Sequence, residues 1–314
     1  MKLSVVIPYY NSADSITALL DSILAESLDS QIIVVDDNSN KDCDIFERIK
    51  SKYADKVEFY INDSGVKGAG AARNIGLKHA NGDWIVFADS DDYFVKGWFD
   101  TISEYMNGEY DLVFFSPISY APDTNCSGQR HHAYAEYVSN FVSGVEHRNA
   151  ELYLRYFYVV PWSKLYRAEV IRKNNILFDE VMYSNDVLFS IKAGYYAGKI
   201  TADERQIYCV VEKGGTLTQN MSEESWGIRQ EVFCRRNLFL RTHLSRADYN
   251  FNKKRMGAFG RLLVAIRRKC GLKNFIHYLD LYRINRVPLF FSMVHTIKCH
   301  LGTFFKKLGK KGSK

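Results

Sequence analysis

The chain is predicted to be an α/β protein: a mainly parallel sheet flanked by helices, followed by a basic helical extension. Three observations predict this. Short apolar runs alternate with amphipathic helical patterns over the first 90 residues, the spacing of βαβ units. The first, second and fourth apolar runs each end in a polar or acidic loop, and an open α/β sheet binds ligands beyond the carboxyl ends of its strands. Charge is also divided: residues 221–314 hold 21 Lys or Arg against 5 Asp or Glu, whereas residues 1–220 hold 21 against 31. The expected boundary is therefore at 220/221, with a catalytic domain before it.

Leu3–Pro8 is almost wholly apolar and reads as a central strand, closed by the loop Tyr9-Tyr10-Asn11-Ser12. Asp14 or Ser15 is expected to cap a helix running to about Ser27, with Ile16, Leu19, Leu20, Ile23 and Leu24 on one face. Gln31–Val35 is the second strand and ends in Asp36-Asp37-Asn38-Ser39; a helix over roughly 42–52 follows, then a third strand at Val57–Ile61. Gly65 to Gly70 form a small-residue loop that opens a helix from Ala71 to Ala80, and Trp84–Ala88 is the fourth strand. Beyond it the pattern predicts a helix over 98–106, a strand over 111–115 and a surface loop over 116–133 in which His131 and His132 face solvent. An aromatic helix over 146–158, an extended piece over 161–167, a helix over 186–196 and a strand over 206–211 complete the first part.

Composition is that of a soluble globular protein, 46% hydrophobic and 25% charged. No apolar run approaches the ~18–20 residues of a spanning helix, and the start of the chain does not read as a secretory segment. The six cysteines are scattered without paired spacing, which points to a reducing compartment and away from a zinc site. The expected location is cytoplasmic, peripheral on the inner face of the cell membrane.

Asp89-Ser90-Asp91-Asp92 follows the fourth strand directly. Strand side chains alternate, so Asp89 and Asp91 point the same way, and two hard oxygen donors suit a divalent cation that also takes phosphate oxygens. The competing reading is a solvated acidic turn. Gly68-x-Gly70 is not a dinucleotide fingerprint, because it follows the third strand and has Arg73 where a third glycine belongs.

Taken together, Val5-Val6-Ile7-Pro8-Tyr9-Tyr10-Asn11, Ile33-Val34-Val35-Asp36-Asp37-Asn38-Ser39, Gly70-Ala71-Ala72-Arg73-Asn74-Ile75-Gly76 and Asp89-Ser90-Asp91-Asp92 resemble the family 2 glycosyltransferases. Trp162-Ser163-Lys164-Leu165-Tyr166 and Asn185-Asp186-Val187 extend the resemblance to about residue 220. It implies a glycosyltransferase-A type fold and an inverting transfer from a nucleotide sugar, UDP-linked, to a saccharide acceptor. By the same resemblance the acceptor is lipid-linked, in bacterial surface polysaccharide synthesis such as capsule or O-antigen. It further implies Mn²⁺ or Mg²⁺ on Asp91, with Asp89 as second ligand or ribose contact and Asp92 behind them.

Donor-binding residues would be Pro8, Tyr10, Asp37 (uracil), Arg73, Asp89 and Ser90, and Asp186 the general base. Acceptor-side residues would be Trp162, stacking on a sugar, and Lys164. Competing structural roles are a helix cap for Asp37 or Asp186 and a surface ion pair for Arg73. The family's Glu-Asp pair is Asn185-Asp186 here, which favours an alternative: a sugar-nucleotide-binding or assembly subunit without catalysis. A sugar nucleotidyltransferase would need a Gly-rich loop after the first strand, where Pro8-Tyr9-Tyr10-Asn11 stands.

In the basic extension Pro288 can open a helix. Phe290, Met293, Val294, Ile297, Leu301, Phe304, Phe305 and Leu308 then fall at helical spacing, with His295, Lys298, Lys306, Lys307, Lys310 and Lys311 elsewhere. That is the pattern of an amphipathic helix on an anionic membrane surface; packing on the catalytic domain is the alternative. No recognised nucleic-acid module is present, and nucleic acid is not an expected partner.

Overall fold

A computed structural model describes residues 2–26, 30–213, 222–267, 271–290 and 293. The chain divides into two compact units, Met1–Asn220 and Met221–Lys314.

The first unit is built on one sheet. Its first half is β1 (Leu3–Tyr9), β2 (Ser30–Asp36), β3 (Val57–Ile61) and β4 (Trp84–Phe87), in the order β3-β2-β1-β4 and parallel throughout. β1 and β4 are buried at every position, as their nearly continuous apolar runs require. The connections are α1 (Ile16–Leu24), α2 (Cys43–Tyr53) and α3 (Ala69–His79). Ser15 does not cap α1 through its side chain; its hydroxyl donates instead to the carbonyl of Ser12.

The sheet continues past β4 through β8 (Lys164–Arg167), β6 (Leu112–Ala121), β9 (Ile200–Val211) and the two-residue β5 (Tyr93–Phe94). β8 runs antiparallel to both β4 and β6, and β9 parallel to β6. Hence β1, β2, β3, β4, β6 and β9 share one direction, and β8 starts where they end. Between them lie α4 (Trp98–Met106), β7 (Cys126–Ser127), α5 (His132–Val142), α6 (His147–Phe157), α7 (Ala168–Lys173) and α8 (Asp186–Tyr196).

The surface loop expected over 116–133 is largely ordered secondary structure. β6 continues to Ala121, β7 folds back on it, and α5 begins at His132. Pro117 hid the strand, since proline cannot donate to a ladder. The β6–β9 register shifts on both sides of Ser116, and this irregularity seats the proline. β9 likewise begins six residues before Gln206.

α3 packs tightly because it is small-faced. A Cβ on Gly70 would collide with the carbonyl oxygen of Asp179 and stand 2.9 Å from Cβ of Asn185. Gly70→Ala is therefore expected to cost about 1–3 kcal/mol and to shift the segment carrying Asn185 and Asp186. A melt that matches wild type would show that the contact is not tight.

The second unit comprises α9 (Glu223–His243), α10 (Arg246–Arg255), α11 (Ala258–Arg267) and α12 (Gly271–Ile284). Ser222 and Ser245 cap α9 and α10, accepting from the N–H groups of Ser225 and Asp248. Trp226, Phe233, Leu240 and Tyr282 are buried, and the Tyr282 hydroxyl donates to Gln230 Oε1 at 2.5 Å. Most of the amphipathic pattern expected after Pro288, from Val294 onward, lies outside the described residues. Among the described residues no helix is long and apolar enough to cross a membrane.

Candidate active site

Because six strands share a direction, the ends of β1, β2, β4, β6 and β9 meet at one edge of the sheet, where β8 begins with Lys164. Asp37 is buried there. Its N–H donates to the carbonyl of Tyr9 at 2.8 Å, and its carboxylate accepts the N–H of Gly68 at 3.0 and 2.9 Å and Nδ2 of Asn62 at 2.6 Å. Asp37 thus ties β2 to the start of α3 and keeps about one of a carboxylate's ~four lone-pair sites for a ligand. Neither aspartate caps α2: Asp36 instead accepts the N–H of Ser39 within its own turn. Pro8 is interior to β1, opposite Val35. Tyr10, 41% exposed, is the open group at this corner, with Lys67 Nζ 2.8 Å from its hydroxyl and 4.0 Å from its ring centroid.

Arg73 is 5% exposed, which excludes the surface ion pair. Its Nη2 donates to Asp89 Oδ1 at 2.5 Å and its Nη1 to Asn185 Oδ1 at 2.9 Å. It therefore joins the end of β4 to the N-terminus of α8. Ser90 is buried and its hydroxyl lies 2.7 Å from that of Ser12. Asp91 is half-buried; burial and the charge of Asp89 raise its carboxyl above the usual range, while Arg130 and Lys213 pull it back. Asp92 is buried and accepts the Tyr208 hydroxyl and the N–H of Val211, both at 2.8 Å.

Asp186 is the first residue of α8, where the helix end itself favours an anion. Burial raises its carboxyl above the usual range; the positive charges of Arg73 and Lys164 oppose this and the charge of Asp89 adds to it. Asp186, Arg73, Asp89 and Lys164 thus lie within one electrostatic neighbourhood. Lys164 is 1% exposed: Nζ donates to the carbonyl of Tyr158 at 2.5 Å and lies 4.5 Å from the Tyr158 ring. Burial drives its pKa well below the ordinary lysine range, and Asp186 pulls it back up. Its ammonium thus lies in the core against Tyr158, within electrostatic reach of Asp186 and not at the surface where it could meet a phosphate. Trp162 needs a correction too. It is 2% exposed, stacked on Tyr208 at 5.8 Å and edge-on to Tyr134, so it offers no open face for a sugar.

With this geometry in view, comparison with known proteins is informative. The sequence model for "Glycosyl transferase family 2" matches residues 4–174. The chain belongs to this family. The chain is 29% identical over 221 residues to the poly(ribitol-phosphate) beta-N-acetylglucosaminyltransferase TarS of Staphylococcus aureus, covering 68% of this chain and 36% of TarS. It is 29% identical over 230 residues to the poly(ribitol-phosphate) beta-glucosyltransferase of Bacillus spizizenii, covering 68% of this chain and 33% of that protein. The chain thus spans about a third of the length of these curated relatives. In three dimensions it is similar to S. aureus TarS 1-349 in complex with UDP-GlcNAc, with a TM-score of 0.70 at 22% identity, over 92% of this chain and 82% of that one. The fold is the glycosyltransferase-A type.

A family 2 member is expected to use a divalent cation, and the donor set fits one. Among the described residues no group of three or more His, Cys, Asp or Glu is arranged around a common point. The protein would supply two carboxylates, Asp91 and the oxygen of Asp89 not held by Arg73, and hard cations of this kind complete their shell from phosphates and water. Asp92 is buried with a hydrogen bond on each oxygen, which sets it behind this pair.

Several groups of this family 2 site were missed in the sequence. Tyr208 accepts the N–H of Asp89 at 2.8 Å while donating to Asp92, so one hydroxyl ties the two ends of the aspartate loop together. Glu212 accepts the N–H groups of Gln129 and Arg130, both at 2.6 Å, and holds Arg130 where its charge reaches Asp91. Lys213 follows β9, and the rule that located Asp37 and Asp91, looking just beyond strand ends, could have found it. Tyr208 sits in mid-strand and gives no such signal. Removing its hydroxyl, as in Tyr208→Phe, strands a buried carboxylate and is expected to cost ~1–3 kcal/mol; unchanged urea unfolding would refute the bond's importance.

Proposed function

We propose that the protein is an inverting glycosyltransferase that moves a sugar from a UDP-linked donor to a hydroxyl of a lipid-linked saccharide in bacterial surface polysaccharide synthesis. The observation that carries this reading is the convergence, at one sheet edge, of the aspartate loop with a desolvated Asp186, the two joined by Arg73 through its bonds to Asp89 and Asn185. The activities of relatives point the same way. One, in Escherichia coli, is 38% identical over 120 residues, covering 38% of this chain and 45% of its own length. It is a UDP-Glc:alpha-D-GlcNAc-diphosphoundecaprenol beta-1,3-glucosyltransferase.

In the mechanism, Asp37 and Tyr10 hold the nucleobase and Asp89 and Ser90 face the ribose and diphosphate. Arg130 and Lys213 add positive charge beside Asp91, where the diphosphate would lie. Asp91 and Asp89 would hold Mn²⁺ or Mg²⁺, which when bound neutralises charge on the leaving diphosphate. Asp186 takes the proton from the acceptor hydroxyl as its oxygen attacks the anomeric carbon. The new C–O bond forms opposite the breaking bond to the diphosphate, so configuration inverts and UDP departs. A raised carboxyl pKa makes Asp186 a stronger base than a free aspartate. Arg73 keeps it ionised, and Asn185 serves Arg73 as a neutral acceptor, so the missing acid of the family pair does not disable the base.

The test is UDP release across a panel of UDP-sugars with Mn²⁺, with and without EDTA. Consumption of one donor supports the proposal. If nucleotide binds and neither hydrolysis nor transfer occurs with any donor and lipid-linked acceptor, a binding subunit is the better reading.

A further inference from the structure

Asn74 stands in the Gly70–Gly76 motif beside Arg73, yet the transfer described above gives it no task. Its side chain reaches from α3 to a segment 104 residues later and grips one residue there by the backbone. Oδ1 accepts the N–H of Phe178 at 2.9 Å, and Nδ2 donates to the carbonyl of the same residue at 3.1 Å. Nδ2 also donates to Glu180 Oε1 at 3.2 Å. A side-chain amide carries an acceptor and two donor hydrogens, so asparagine can pair with a backbone as a neighbouring strand would. Phe178 needs such a partner. It is buried, residues 174–185 form neither helix nor strand, and buried backbone groups left unpaired cost free energy.

The start of α8 hangs on Phe178. The N–H of Asp179 donates to the carbonyl of Asn185 at 3.1 Å, which closes the segment just before Asp186. The Phe178 ring stacks on Phe189, in the first turn of α8, with centroids 3.8 Å apart and planes 7° from parallel. Phe87, at the end of β4, meets these two rings edge-on at 5.1 and 5.3 Å, and the Arg73 guanidinium lies 5.3 Å from the Phe178 ring. Two consecutive residues of α3 thus hold one segment at both ends, Asn74 at Phe178 and Arg73 at Asn185. We infer that Asn74 is a positioning residue for proton transfer: through Phe178 it fixes where the first turn of α8, and so Asp186, stands. This rests on Asp186 being the base of the transfer proposed above. A base displaced by ~1 Å can lose about 10²-fold in rate, so the clamp bears on turnover and not only on folding.

The experiment compares wild type, Asn74→Ala, Asp186→Asn and the double variant in the full chain. It reads UDP release from the UDP-sugar consumed in the donor panel, UDP affinity by calorimetry, and amide hydrogen exchange. Asn74→Ala is expected to lower kcat at least about tenfold with UDP affinity unchanged. It should also speed exchange at the Phe178 amide and in the first turn of α8, while β1 and β4 stay protected. Added to Asp186→Asn, the same substitution should not lower kcat further, because a residue that acts through the base then has nothing left to position. A purely structural role would lower kcat alike in both backgrounds. Should the alanine variant fail to fold, Asn74→Asp is the second arm: it keeps size and the acceptor, loses the donor, and should lower kcat with UDP affinity unchanged. The inference is overturned by wild-type kcat in the Asn74 variants, by equal losses in the two backgrounds, or by exchange in α8 that matches wild type. Failure of the transferase reading looks different. Wild type would then release UDP from no donor, or Asp186→Asn would keep full kcat, and either result removes the base and this role with it.

Discussion

Asp186→Asn is expected to lower kcat by about 10²–10⁴-fold while leaving donor affinity close to wild type. The substitution keeps size and helix position but removes the carboxylate at the start of α8 that feels the charges of Arg73 and Lys164. Titration with UDP separates the two effects, because loss of binding would mean that the residue holds the loop and not the proton. The pH profile adds a signed expectation. The base must be ionised, and burial raises its pKa, so kcat/KM should fall on the acid side at a pH above the usual carboxylate range. Arg73→Gln removes the largest force opposing that rise and should move the acid limb higher still. A limb that stays put on loss of Arg73 would remove Asp186 from the assignment.

The second large effect belongs to Asp91. Asp91→Asn is expected to make UDP affinity in Mn²⁺ equal to that of wild type in EDTA, and to reduce transfer by about 10²–10³-fold. The carboxylate sits beside Asp89 with a raised pKa, a pair whose repulsion a cation would relieve. Calorimetry of UDP binding with and without metal gives a readout independent of turnover. A variant that keeps the full metal dependence of wild type would place the cation elsewhere.

Most of the parallel half of the sheet was legible in the sequence, and for a physical reason. Buried parallel strands favour near-continuous apolar runs, and Leu3–Pro8, Gln31–Val35 and Trp84–Ala88 supply them. Asp37, Asp89 and Asp91 were legible because a strand end is also a place in space. The second half was less so. β6 runs through a proline that the shifted register accommodates, and a local rule cannot see the β9 neighbour that makes this possible. Tyr134, Tyr137, Val138 and Phe141 do stand at helical spacing in α5, but Pro122 and Gly128 shortly before it read as loop. Burial is the other blind spot. Trp162 and Lys164 were placed by motif, and a motif does not say whether a ring or an ammonium faces the ligand or the core. Tyr208 is the clearest omission, since its role arises from a contact across 116 residues of chain.

That Tyr208 contact also bears on how the donor is received. One hydroxyl holds the backbone of Asp89 and the side chain of Asp92 while β5 pairs with β9 beneath them. The aspartate loop is therefore held by the protein's own bonds. A ligand entering such a site spends little of its interaction on ordering the protein. Under the proposed function, a wrong sugar would be turned away at this loop by a hydrogen bond left unmet.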